Sequence, residues 1–181
     1  MAIISGSSSS ASAGRVVLFD STLGVAAASI DTGASGIAPG FSVITVYVVG
    51  RTTEAVVSSS ILARLNADSG ANYDQSSIAW ASGAVSGSSS VAQTAWACAF
   101  PGASMDASSA GSVSIVIPSY DQTTFNKQAT NAEGLGSGTA NNNSAIMRSF
   151  RWRNTAAISR LSITAGSGNL VAGSRLLILG G

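Results

Sequence analysis

Residues 41–49 read F-S-V-I-T-V-Y-V-V, nine positions dominated by β-branched and aromatic side chains. The run is apolar on both alternating faces, which predicts a central strand covered on two sides. The same texture recurs on either side of it. Val16 to Phe19 is a short apolar run closed by Asp20 and Ser21, and residues 58–66 alternate, with Ile61, Ala63 and Leu65 facing in and Arg64 out. Further strands are predicted at 91–99, at 112–117 (stopped by Pro118), at 146–153, at 158–164 and at 170–179. Weaker segments at 77–81 and 123–129 bring the total to about eight to ten.

The connections carry turn chemistry: D-T-G at 31–33, A-P-G at 38–40, D-S-G at 68–70 and G-S-G at 166–168. No 3.6-residue apolar period persists over 11 residues, and only the Ala-rich stretch 24–29 suits a single helical turn. Short strands with Gly-rich turns predict an all-β fold, an antiparallel β-sandwich of jelly-roll type. Residues 15–181 form its single domain. Residues 1–14 are nearly all Ser, Ala and Gly, and read either as a frayed arm or as one that orders on a neighbouring subunit. The stretch 131–144, N-A-E-G-L-G-S-G-T-A-N-N-N-S, reads as a surface loop or subunit contact. Its glycines at 134, 136 and 138 do not make a phosphate cradle, because Thr139 stands where the last glycine belongs and no Lys follows.

Composition narrows the function. The 181 residues include 34 Ser, 30 Ala and 20 Gly, so nearly half of the positions carry almost no side chain. Seventeen residues are charged, about a third of the usual share. Such a surface is solvated by hydroxyls, amides and backbone, or is covered by another protein. The net charge of +1 argues against nucleic acid as a partner. The longest apolar run, Val43 to Val49, is too short for a membrane span. The opening M-A-I-I-S-G-S-S-S-S lacks the basic and apolar regions of a signal peptide, which predicts synthesis in a reducing cytoplasm.

The chemistry available to an enzyme is thin. There is no His, so neither a Ser-His-Asp nor a Cys-His arrangement can be built. The single Cys98, within A-W-A-C-A-F, reads as a small buried hydrophobe. The eight carboxylates sit mostly beside Gly, Ser or Asn, where turn capping is their ordinary use. Asn66, Asp68, Gly70, Asn72 and Asp74 place oxygen ligands at alternate residues. The terminal bidentate Glu of a strong calcium site is missing, so turn hydrogen bonds account for them better. We expect no catalytic residues, no cofactor and no metal.

Five of the eight arginines, Arg148, Arg151, Arg153, Arg160 and Arg175, fall in the last 34 residues. On 146–153, Ile146, Arg148, Phe150 and Trp152 face one way and Met147, Ser149, Arg151 and Arg153 the other. Phe150 and Trp152 read as core or interface anchors, and Arg151 and Arg153 as solvent-facing or subunit contacts. The candidate interface residues are therefore Arg148, Arg151, Trp152 and Arg153, with Ile3 and Ile4 from the arm.

Four segments in order resemble small virion proteins of tailed bacteriophages. They are L-F-D-S-T-L-G at 18–24 with A-A-A-S-I-D at 26–31, then Ile37-Ala38-Pro39 with the strand Val46 to Arg51. L-N-A-D-S-G-A-N-Y-D at 65–74 follows, and then R-W-R-N-T-A-A-I-S-R-L at 151–161 with G-N-L-V-A-G-S-R-L-L-I-L at 168–179. The likeness spans about 18–179. It implies a β-sandwich virion structural protein, commonly a homotrimer, with the major capsid protein or tail proteins as partners and no catalytic residues to carry over. No long shaft accompanies the domain, so a capsid decoration or cementing protein is the expected role. The alternative is a tail-associated receptor-binding module recognising a host surface glycan or protein. Tyr73, Trp80, Trp96 and Tyr120 would then line a shallow sugar site, although a core role suits each of them better.

Overall fold

The computed structural model describes residues 14–81, 83–136 and 143–181. Twelve antiparallel strands make up the described chain, with no helix among the described residues. They are β1 (Val16–Thr22), β2 (Ser29–Asp31), β3 (Val43–Gly50), β4 (Ser58–Leu65), β5 (Tyr73–Ala81) and β6 (Ala84–Gln93). Then follow β7 (Trp96–Pro101), β8 (Gly111–Pro118), β9 (Lys127–Leu135), β10 (Ser144–Trp152), β11 (Leu161–Ala165) and β12 (Arg175–Gly180). One sheet has eight strands in the order β1-β12-β3-β8-β9-β10-β5-β6, and the other has four in the order β2-β11-β4-β7.

Successive strands change sheet at every step of β1→β2→β3→β4→β5, of β6→β7→β8 and of β10→β11→β12, and β4 and β7 lie side by side in the smaller sheet. The hairpins β5–β6 and β9–β10 both add to the larger sheet, beyond β8. The two sheets share one core. β3 contributes Ile44, Val46 and Val48, β8 contributes Val113, Ile115 and Ile117, and β12 contributes Leu176 and Ile178; across from them lie Ile61, Ala63 and Leu65 of β4 with Leu161 and Ile163 of β11. The alternation expected on β4 is present, because one face of an antiparallel strand must be buried and the other need not be.

The run 41–49 is a central strand, as its composition predicts, but it is not covered on two sides. Thr45 is buried and Tyr47 half-buried, while Val49 is exposed. Thr45 and Tyr47 are shielded within the sheet plane by their neighbours Leu179, Val116 and Leu177 instead of by a further layer. The Ala-rich stretch 24–29 makes no helical turn; Ala27 instead bridges Leu170 in extended conformation.

The predicted strand 91–99 is two strands. Ala92 has φ of 56° and donates its N–H to the Asp74 carboxylate at 2.9 Å, which breaks the alternation and sends the chain to the other sheet. The loop expected over 131–144 is a strand as far as Leu135. Lys127, Ala129, Asn131, Glu133 and Leu135 of β9 face in, and the residues between them face out. Polar groups take most of its inward positions, so an apolar-in, polar-out pattern is absent from the sequence.

Candidate interaction surface

The segment 65–74 is a clamp. Asn66, at φ of 51°, receives the N–H groups of Ser159 (2.9 Å) and Arg160 (3.1 Å) on Oδ1 and donates Nδ2 to the Ala157 carbonyl at 2.7 Å. Asp68 accepts from the Gly70 N–H (2.8 Å), Asn72 Nδ2 (3.0 Å) and the Trp152 indole N–H (2.7 Å). Burial pushes the Asp68 carboxyl up, but these three donors outweigh it and hold the group below the usual aspartate range. The Tyr73 hydroxyl accepts from the Leu65 N–H and donates to the Asp68 carbonyl, and burial raises its pKa to about 12. Asp68, Gly70 and Asn72 are therefore turn partners, whereas Asn66 holds the backbone at 157–160 and Asp74 accepts from Ala92 and Arg151. Among the described residues no group of three or more His, Cys, Asp or Glu could hold a metal ion. The segments 65–74 and 151–161 interlock here, joined also by the Arg153 N–H to the Asn72 carbonyl at 2.8 Å.

Five of the eight arginines pair with acids elsewhere in the chain, and the other three bond to uncharged groups. Arg148 pairs with Glu133 (2.6 Å), Arg151 with Asp74 (2.5 Å), Arg160 with Asp31 (2.7 Å) and Arg175 with Asp20 (2.7 Å); Arg153 approaches Asp74 at 3.6 Å. Arg51 donates to the carbonyls of Gly102, Met105, Asp106 and Ala107, Arg64 to that of Thr94, and Arg15 to the Tyr47 hydroxyl. The buried Lys127 ammonium donates to three carbonyls, those of Gln122, Phe125 and Thr155, and burial lowers its pKa. The Ala92 N–H and Arg151 hold the Asp74 carboxyl below its ordinary range. No basic patch results.

The sequence-derived interface residues divide accordingly. Ile3 and Ile4 lie outside the described residues. Trp152 is fully buried, and Arg148 points inward to Glu133, so both support the surface from beneath. Arg151 and Arg153 are about half exposed, each turned towards Asp74. Of the four candidate sugar-site aromatics, Tyr73, Trp96 and Tyr120 are fully buried; Trp80 alone is exposed. Trp96 stacks on Phe150 with ring centroids 4.9 Å apart, and Tyr73 meets its edge at 5.9 Å.

Surface apolar residues gather elsewhere, on the outer face of the larger sheet. Met147 on β10 lies directly opposite Ile78 on β5, and Trp80 lies between Ala145 and Val85. Met147 is 71% exposed, Ile78 65%, Val85 72% and Trp80 48%. This patch was readable only in part: Met147 stood on the outward set of 146–153, but Ser-rich flanks hid the extent of β5 and β6. Beside it lies a shallow depression of about 290 Å³, edged by Asp74, Ser76, Ser89, Ser90, Gln128 and Arg151. No family model, curated protein or solved structure matches this chain.

Proposed function

We propose that this chain is a non-enzymatic bacteriophage virion structural protein that decorates or cements the capsid surface through its outer sheet face. The observation that carries the reading is that face: Met147, Ile78, Trp80 and Val85 are exposed together on a sheet whose arginines are neutralised internally. An uncharged apolar surface with hydroxyls around it suits contact with another protein. Repeating such contacts over a lattice of capsid subunits supplies avidity beyond any single contact. The connectivity supports the same reading. With β5–β6 and β9–β10 set aside, the strand orders β1-β12-β3-β8 and β2-β11-β4-β7 are those expected of a jelly roll, an architecture used by viral capsid and lectin domains, and this order supports the reading. The family resemblance adds the expectation of a homotrimer.

A tail-associated receptor-binding module is the second reading, favoured by the hydroxyl- and amide-edged depression at Asp74 and Arg151, a setting suited to a glycan. Immunogold electron microscopy of intact particles with antibody against this chain separates the two. Gold over the head is expected. Gold at the tail favours the second reading, and unlabelled particles with accessible antigen overturn both.

A further inference from the structure

The two sheets have four edges, and three are protected. β1 carries a register shift between Val17 and Phe19 and the Asp20–Arg175 ion pair, and β2 is only three residues long. The outer N–H groups of β7 are capped by side chains from the larger sheet, Ala97 by Gln75 (3.0 Å) and Ala99 by Glu133 (2.7 Å). Bulges, charges, short length and covering side chains are the usual defences of an edge against strand pairing. Among the described residues, β6 has none along its run from Ala84 to Ser90. It is ten residues long, A-V-S-G-S-S-S-V-A-Q, with no charge and no Pro, and Val85 and Val91 stand exposed near its two ends.

A second stretch of the chain repeats this edge. Residues 4–11 read I-S-G-S-S-S-S-A and residues 85–92 read V-S-G-S-S-S-V-A, identical at six of eight positions with Ile replacing Val at the first. A sequence already used as a strand on this sheet thus stands just before Gly14. It cannot reach its own β6. The two edges of the larger sheet are seven strand spacings apart, roughly 34 Å along the sheet. Residues 12 and 13 with the bonds around them span at most about 10 Å.

We propose that residues 4–11 add as a strand to the free edge of β6 in a second copy of this chain. Backbone hydrogen bonding supplies the contact, as in other strand additions. In a parallel register Ile4 stands opposite Val85, and in an antiparallel register it can stand opposite Val91, as a cross-strand apolar pair. The inference does not rest on the virion reading, and its test involves no particle.

The test uses the full chain with a photoreactive benzophenone residue at position 8, mixed from nitrogen-15-labelled and unlabelled copies and irradiated. Heavy–light cross-links landing within 84–93 are expected, together with a light-scattering mass above the single-chain 17.9 kDa. A full chain carrying Ser7→Pro and Ser9→Pro, which removes two N–H donors, is expected to fall to the single-chain mass. A single-chain mass for the unmodified protein, cross-links confined to one copy or landing on 16–22, or an unchanged mass in the proline variant would each overturn the proposal.

Discussion

Inward positions on β12, β3 and β8 are aliphatic apart from Gly180, Gly50 and Gly111 at the strand ends, whereas those on β9 include Lys127, Asn131 and Glu133. The first group faces the smaller sheet and is held by burial of apolar surface. The second lies beyond β8, and its side chains reach the β7 edge: Glu133 to the Ala99 N–H and Asn131 to the Cys98 sulfur at 3.5 Å. Aromatics return at the far end, where Trp96 stacks on Phe150 and Tyr73 on Trp152, and the two pairs meet edge-to-face through Tyr73 and Trp96. One sheet thus solves two problems, filling a core and closing an edge, and the residue types follow the task.

Substitutions separate the two halves. The largest loss is expected for Trp152→Ala, which empties a fully buried site and removes a donor from Asp68: about 4 kcal/mol by denaturant unfolding. Ile115→Ala, in the aliphatic half, is expected to cost about 3 kcal/mol by the same measurement. Glu133→Gln is expected to cost about 2 kcal/mol, since it leaves the largely buried Arg148 without its carboxylate. If the polar half serves edge closure and not net electrostatic gain, Glu133→Gln, which keeps an acceptor for the Ala99 N–H, combined with Arg148→Met should recover more than half of that loss. A double variant as weak as the single one would break the comparison.

Acid separates them too. Asp68 and Asp74 titrate below the ordinary 3.8 when folded, so the folded state binds fewer protons than the unfolded one in that range. Their stabilisation is complete above 3.8 and is lost as the pH falls through their lowered values. Melting temperature measured down to about pH 2 should therefore drop steeply at the acid end. Asp68→Asn and Asp74→Asn should each flatten that drop. The smallest effect on folding is expected at the outer patch. Met147→Lys should change stability by no more than about 0.5 kcal/mol, and under the proposed function it should weaken co-sedimentation with capsids.

How far the sequence reveals this molecule follows the same division. Strands that fill the core, such as Val43–Gly50 and Ser58–Leu65, announce themselves because burial selects β-branched and aliphatic residues. β9 stays hidden because its inward residues hydrogen-bond instead of packing, and most of β6 stays hidden because all but one of its residues are exposed. The arginine partners were equally illegible. Asp20 and Arg175 are 155 residues apart, and only the pairing of β1 with β12 joins them. Trp80 and Met147 were visible singly, but their shared patch needs the register of β5 on β10.

The buried Cys98 has a practical consequence. It is the chain's single thiol, and burial first, then the Glu133 charge, push its pKa well above normal. Thiolate chemistry at this sulfur is therefore suppressed while β7 stays seated. The rate at which a thiol reagent consumes it becomes a clock for the peeling of that strand, readable in the unmodified protein without any added probe.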